Sequence, residues 1–237
     1  MIKGVLLDYG GTIDTNGLHW ANVLWDSYEK YQAGIDRALF WEAYKFGERA
    51  LAIKPLVKPH HNFHDVLFLK VTEQFQFLQD QGISLDNALI EQIAADCNVF
   101  AQATVNQAEI TLKVLAEQYP LVMVSNFYGN LNQVLTGFGI RKYFDGVIES
   151  AVAGVRKPDP QIYQLGVDAH GFAPESCAVI GDSYTKDILP GKQVGCKTLW
   201  LNVKGWEDSA ESVPQTSEAD IEIADFSETI EALSRLS

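Results

Sequence analysis

The chain has 237 residues, 47% of them apolar, enough for one sizeable domain or a domain with a moderate insertion. Its formal charge of −13 repels nucleic acid and anionic lipid, so neither is expected as a partner, and a small anionic substrate would need a local cation. No apolar run reaches the ~18 residues of a membrane span, and residues 1–3 lead directly into a strand rather than a signal-peptide pattern, which predicts a cytoplasmic protein.

The first predicted element is the apolar run 4–7. It delivers Asp8 into a glycine-rich turn, LLDYGGT, where a reactive carboxylate would stand at the end of a buried strand. Gly10 and Gly11 let the backbone bend sharply enough for a carbonyl and N–H groups to face one site. Asp14 precedes Asn16-Gly17, a turn signal, and reads as a turn or cap acid.

Residues 15–100 have a different rhythm. Trp20, Leu24, Tyr28 and Tyr31 recur at helical spacing, as do Leu67, Val71, Phe75 and Leu78, while Pro55, Pro59 and Gly82 punctuate the segment. It reads as a helical insertion carrying 13 of the 26 aromatic residues, expected to form a small bundle core with a few rings lining a substrate cavity. The run KPHHNFH places His60, His61 and His64 close together, but without a Cys or acidic partner at ligand spacing it reads first as a surface or substrate-facing loop.

Beyond the insertion, apolar runs at 121–124, 146–148, 178–180, 198–201 and 221–223 alternate with helical patterns such as 107–118 and 159–170. That alternation predicts an α/β fold, a doubly wound parallel sheet covered on both faces. The expected division is a core of residues 1–14 and 101–237, with 15–100 inserted after the first strand. Cys97, Cys177 and Cys196 match no zinc or redox spacing and read as reduced core residues. Nine of the 31 acidic residues fall within 205–234, a span with no Lys or Arg.

Ligands of open α/β sheets bind beyond the carboxyl ends of the strands, so the residues following each run carry the functional reading. Four runs end in LLD(8)YGGT, VMVS(125)N, GVRK(157)PDP and VIGD(182)SYTKD(187). These types suit attack on a phosphoryl group. Asp8 can be the nucleophile, Lys157 can offset the repulsion between carboxylate and phosphate, and Asp182 and Asp187 are hard oxygen ligands of the kind Mg²⁺ prefers. Ser125, with the N–H groups after its strand, can hold phosphate oxygens.

In this order the four blocks resemble those of the haloacid dehalogenase superfamily, whose first motif is Asp-x-Asp-x-Thr and whose helical cap of the first type is inserted after the first strand. The resemblance covers essentially the whole chain. It implies a Rossmann-like core with a cap and Mg²⁺-dependent hydrolysis of a small phosphorylated metabolite through a phospho-aspartate on Asp8. Lys157 would be catalytic, Thr12, Ser125 and Asn126 would bind substrate, and Asp8, Gly10 by its carbonyl, Asp182 and Asp187 would hold or orient the metal.

One position departs from the pattern. The family's phosphatases carry a second Asp two residues after the nucleophile as general acid and base, and here that position is Gly10. Asp14, His19, His60, His61 and His64 are the candidate substitutes. Dehalogenases of the family lack the second Asp but also the full metal pattern, so dehalogenation is disfavoured. Phosphonoacetaldehyde hydrolases have a small residue there and use a cap lysine as Schiff base, which makes Lys45, Lys54, Lys58 and Lys70 candidates for that chemistry. A third reading is a phospho-ligand binding protein with impaired turnover.

Overall fold

A computed structural model describes residues 1–206 and 217–236. Of the acidic span 205–234, Glu207, Asp208 and Glu211 therefore lie outside the described residues.

Every predicted apolar run is a strand, four of them longer than expected by one or two residues. The strands are β1 Gly4–Leu7, β2 Leu121–Ser125, β3 Gly146–Glu149, β4 Cys177–Gly181, β5 Lys197–Leu201 and β6 Ile221–Ile223. They form one parallel sheet in the order β3-β2-β1-β4-β5-β6. The period of two sorts the side chains into two cores: Val5, Leu7, Met123 and Ile180 face one, Leu6, Val122, Val124 and Val179 the other. Both faces are apolar because both are covered, as parallel sheets require.

Four helices lie between β1 and β2: α1 Trp20–Lys30, α2 Arg37–Ile53, α3 Phe63–Asp80 and α4 Ala88–Gln118. With no Gly or Pro to interrupt it, α4 runs for 31 residues through position 100, where the insertion was expected to end. Its first half packs Ile90, Ile93 and Cys97, and its second half carries Val105, Leu112 and Leu115 into the same core as the sheet residues. The expected helix at 107–118 is thus the end of a longer one. The other covering helices are α5 Leu131–Gly137, α6 Ser150–Ala153, α7 Gln161–His170, α8 Leu189–Gln193 and α9 Thr229–Arg235. On the opposite face α7 packs Ile162, Tyr163 and Val167 around Leu6.

All three cysteines are buried and unbridged. Among the described residues no helix is long and apolar enough to cross a membrane. The sheet order reverses direction between β1 and β4, and at that switch point a crevice opens beyond the strand ends.

Candidate active site

The turn after β1 is built to present Asp8. Tyr9 turns inward and is fully buried, edge-on to Phe63 and Phe127, while the main chain of Gly10 stays exposed. Gly11 has φ 96°, and its carbonyl accepts from Gly17 N at 2.6 Å and Thr15 Oγ1 at 2.9 Å. Asp14 completes the turn by accepting from Gly11 N at 2.7 Å and Trp20 Nε1 at 3.1 Å.

The two glycines differ sharply in what they tolerate. A Cβ on Gly11 would lie 2.4 Å from an Asp182 carboxylate oxygen on a backbone that L-residues rarely adopt, whereas one on Gly10 meets nothing within 4 Å. Gly11→Ala is expected to cost on the order of 1–3 kcal/mol or more and several degrees of thermal midpoint, and Gly10→Ala almost nothing. Equal midpoints for the two variants in a thermal melt would contradict this turn geometry.

The other carboxylates come from the end of β4. Asp182 follows Gly181, and a single wide helical turn, Tyr184–Ile188, folds Asp187 back beneath it, with Ser183 N donating to Asp187 Oδ2 at 3.0 Å. A Cβ on Gly181 would collide with Asp187, so this close return requires glycine there. Lys157 enters between α6 and α7. Its main chain is clamped by Asn126, whose Oδ1 accepts from Lys157 N at 2.9 Å and whose Nδ2 donates to Lys157 O at 3.1 Å.

At the centre Lys157 Nζ donates to Asp8 Oδ1 at 2.5 Å and to Asp187 Oδ1 at 2.6 Å. Tyr163 OH also donates to Asp187 Oδ1, at 2.7 Å. Thr12 Oγ1 donates to Asp182 Oδ1 at 3.0 Å, lies 3.3 Å from Asp8 Oδ2, and accepts from Asp182 N at 3.1 Å. One oxygen each of Asp8, Asp182 and Asp187 lies within 4.8 Å of the others. Three carboxylates against one buried lysine leave two negative charges, and the donors are all hard oxygens, which fits a small divalent cation.

The same crowding appears in the proton affinities. Burial, only partly opposed by Lys157 and reinforced by Asp187, pushes Asp8 up to about 6. Burial with the charges of Asp8 and Asp187 drives Asp182 well above the carboxylate range. Burial alone would lower Lys157, but Asp187 and Asp8 hold it charged. Asp14 rises to about 7, mainly through burial.

Asp8 and Asp14 therefore bind protons more tightly folded than unfolded, and between an ordinary value of 3.8 and about 6 or 7 the fold holds the extra protons. Stability then falls as pH rises through that window. Half-buried His170, with a lowered pKa, opposes this, as do Glu48 and Glu109 at the acid end of the window. In chelator the thermal midpoint is expected to drop from about pH 4 to about pH 7, and added Mg²⁺ to recover it most at the alkaline end. A midpoint that climbs through the window would overturn the carboxylate assignments.

Asp8, Gly10, Ser125, Asn126, Lys157, Asp182 and Asp187 all line one cavity of about 190 Å³, joined by His19, Trp20, Tyr44, Arg156 and Lys186. Seven of the eight residues singled out for the site thus converge on it. The eighth, Thr12, is fully buried behind the carboxylates and ties Asp8 to Asp182 instead of facing a ligand. Asn126 reaches the cavity, but its amide is committed to Lys157. A larger cavity, about 610 Å³, lies between α4 and residues 225–227, away from the carboxylates.

Of the candidate substitute acids only His19 lines the cavity. Asp14 does not; it is a turn acid. Asn62 and Asp65 cap α3 reciprocally, so His60 and His61 lead into that helix and His64 lies in its first turn. His61 gives its carbonyl to Asn130 Nδ2 at 2.9 Å, and His64 pairs with Glu91 at 3.1 Å. None of the four candidate lysines lines the cavity. Lys45, Lys54 and Lys58 are exposed and bound to Glu42, Glu73 and the Pro55 carbonyl. Lys70 is buried, where burial alone would lower its pKa, but Glu48, 2.5 Å away, and Tyr128 raise it instead. A Schiff-base lysine needs the opposite shift.

Sequence reasoning missed Tyr163, Trp20, Tyr44, Arg156 and Lys186 as site residues. Arg156 and Lys186 adjoin residues of the quoted motifs and were open to notice. The aromatic residues had no local signal, because only packing decides which of many rings turns toward the crevice.

A family model described as a haloacid dehalogenase-like hydrolase matches residues 2–195. The chain is 35% identical over 119 residues to the Haloacid dehalogenase-like hydrolase domain-containing protein 3 of Mus musculus, covering 49% of this chain and 47% of that protein. It thus spans about half the length of that relative. It is 30% identical over 179 residues to the Pyrimidine 5'-nucleotidase YjjG of Escherichia coli, covering 75% of this chain and 71% of that one. A structure of the HAD-hydrolase YfnB from Bacillus subtilis, bound to magnesium, matches in fold over 98% of both chains with a TM-score of 0.60 at 21% identity. The carboxylates at the switch point, the parallel sheet and these matches agree: the chain belongs to the haloacid dehalogenase-like hydrolase family.

Proposed function

We propose that the protein is a Mg²⁺-dependent phosphohydrolase acting on a small phosphorylated metabolite through a phospho-aspartate on Asp8. The observation that carries this reading is the convergence of three hard-oxygen donors, Asp8, Asp182 and Asp187, around the single buried Lys157. A divalent cation there would be held by Asp8, Asp182 and the Gly10 carbonyl, and would supply charge neutralisation for an incoming phosphate. Asp187 acts by orientation, since Lys157, Tyr163 and Ser183 already occupy its oxygens.

In this reading Asp8 attacks phosphorus. Lys157 offsets the charge between carboxylate and phosphoryl group, and Ser125, at the end of β2, receives phosphoryl oxygens. Arg156 and Lys186 add local cations at the rim of an otherwise acidic protein. Thr12 and Asn126 position the nucleophile and the lysine. Residues 15–100 serve as the cap, with α4 as the shared rod between cap and core.

A screen of phosphate esters with Mg²⁺ and with chelator tests the proposal. It should include pyrimidine nucleoside monophosphates, given the activity named for the Escherichia coli relative, and phosphonoacetaldehyde. Mg²⁺-dependent phosphate release is expected from at least one ester. Cleavage of phosphonoacetaldehyde alone would replace this reading with C–P chemistry, and ligand binding without any turnover would replace it with the binding-protein reading.

A further inference from the structure

Building on the phosphohydrolase reading, we propose that the substrate is an aryl phosphate: the phosphate ester of a phenol-type hydroxyl on a single small planar ring. Two independent observations lead there, one from what the cavity lacks and one from what lines it.

An alkyl leaving oxygen departs as a base close in strength to hydroxide, with water ionising at ~15.7, unless a proton reaches it. A phenol ionises near ~10, so phenolate leaves without that help. Among the described residues lining the catalytic cavity, the carboxyls are Asp8, Asp182 and Asp187, the nucleophile and the metal set. Gly10 contributes no carboxyl. Burial and the nearby charge of Glu48 push the Tyr44 hydroxyl well above its ordinary value, which makes it a poor acid. His19 caps α1 by accepting Ala21 N–H at Nδ1, 3.1 Å away, which commits that ring nitrogen to the helix rather than to a leaving group. Asp14 lies outside the cavity, with its oxygens turned to Gly11 N and Trp20 Nε1.

The walls are aromatic and held rigid. Trp20 is fixed by its bond to Asp14 and by Phe63, 5.5 Å away between centroids. Tyr44 stacks on Trp41 at 5.3 Å with an interplanar angle of 12°. Rings already immobilised can pack against a planar group at little further entropic cost. A cavity of about 190 Å³ has room for a phosphoryl group and one ring.

The reaction balances without an added acid. An Asp8 oxygen bonds to phosphorus as the P–O bond to the ring breaks, and the electron pair leaves on the phenolate oxygen, which takes a proton from solvent. Water then attacks phospho-Asp8, releasing inorganic phosphate and restoring the carboxylate.

The test uses the full chain with Mg²⁺, a series of substituted phenyl phosphates, glycerol phosphate as alkyl ester and acetyl phosphate as a ringless good leaving group. Phenyl phosphate should exceed the alkyl ester in kcat/KM by ~10²-fold or more, with rates climbing as the phenol becomes more acidic. Trp20→Phe and Trp20→Leu both lose the bond to Asp14, so the difference between them reads the ring alone. Leu should raise KM for phenyl phosphate roughly three- to tenfold over Phe, a larger change than either substitution makes in acetyl phosphate turnover. Equal turnover of alkyl and aryl esters, or the same KM in both Trp20 variants, overturns the aryl assignment while leaving the phosphohydrolase reading intact. No turnover of any ester or of acetyl phosphate, with no phosphorylated Asp8, overturns the reading beneath it.

Discussion

Asp8→Asn is expected to lower kcat for any phosphate ester on the order of 10⁴–10⁶-fold, because it removes the nucleophile while changing almost no volume. The protein should still fold. Asp8 is one of three converging carboxylates, and its raised proton affinity shows that its charge is held at a cost. A neutral amide relieves that repulsion, so the metal-free midpoint at pH 8 should equal or exceed that of the parent. Acid-quenched protein should yield a phosphorylated peptide containing Asp8 from the parent and none from the variant. Turnover in Asp8→Asn at the parental rate would show that the route is not covalent through this residue.

Gly10→Asp is expected to raise alkyl phosphate hydrolysis by a sizeable part of the ~10²–10⁴-fold that general acid–base catalysis contributes, with a smaller gain for aryl esters. Two obstacles could have defeated such a gain, a left-handed backbone at Gly10 and a neighbour filling the vacated space. Neither is present: the left-handed residue is Gly11, and a Cβ on Gly10 meets nothing within 4 Å. The ratio of aryl to alkyl kcat/KM is therefore the measurement to make, and it should shrink in the variant. If the variant folds, binds Mg²⁺ and improves no ester while losing parental turnover, the glycine belongs to a different chemistry.

The chain's local patterns were enough to predict the sheet. Each apolar run of three or four residues is too short for a helix and rich in Val, Ile and Leu, and each became a strand with nearly the predicted ends. The residues at the strand ends were legible for the same reason, since a parallel sheet delivers whatever follows each strand to one edge. Asp8, Ser125, Asp182 and Asp187 needed only that rule to be placed together.

What sequence alone could not decide depends on contacts between residues far apart in the chain. Thr12 was expected to meet substrate, but it lies behind the carboxylates and reaches Asp182 across 170 positions while holding Asp8 beside it. Asn126 was expected to do the same, and it grips Lys157 across 31. Lys70 and the other cap lysines were equivalent as sequence; one buried pairing with Glu48 separates Lys70 from the rest and raises its proton affinity where Schiff-base chemistry needs it lowered. Asp14 read as a turn acid before it read as a substitute acid, and the fold gives it to the turn; that His19 reaches the cavity wall had no local signal. Periodicity and strand-end position are properties of neighbours along the chain, so sequence determined the sheet and the carboxylate edge. Proton affinity, burial and the direction a side chain faces depend on which distant groups arrive beside it, and only the tertiary structure decided those.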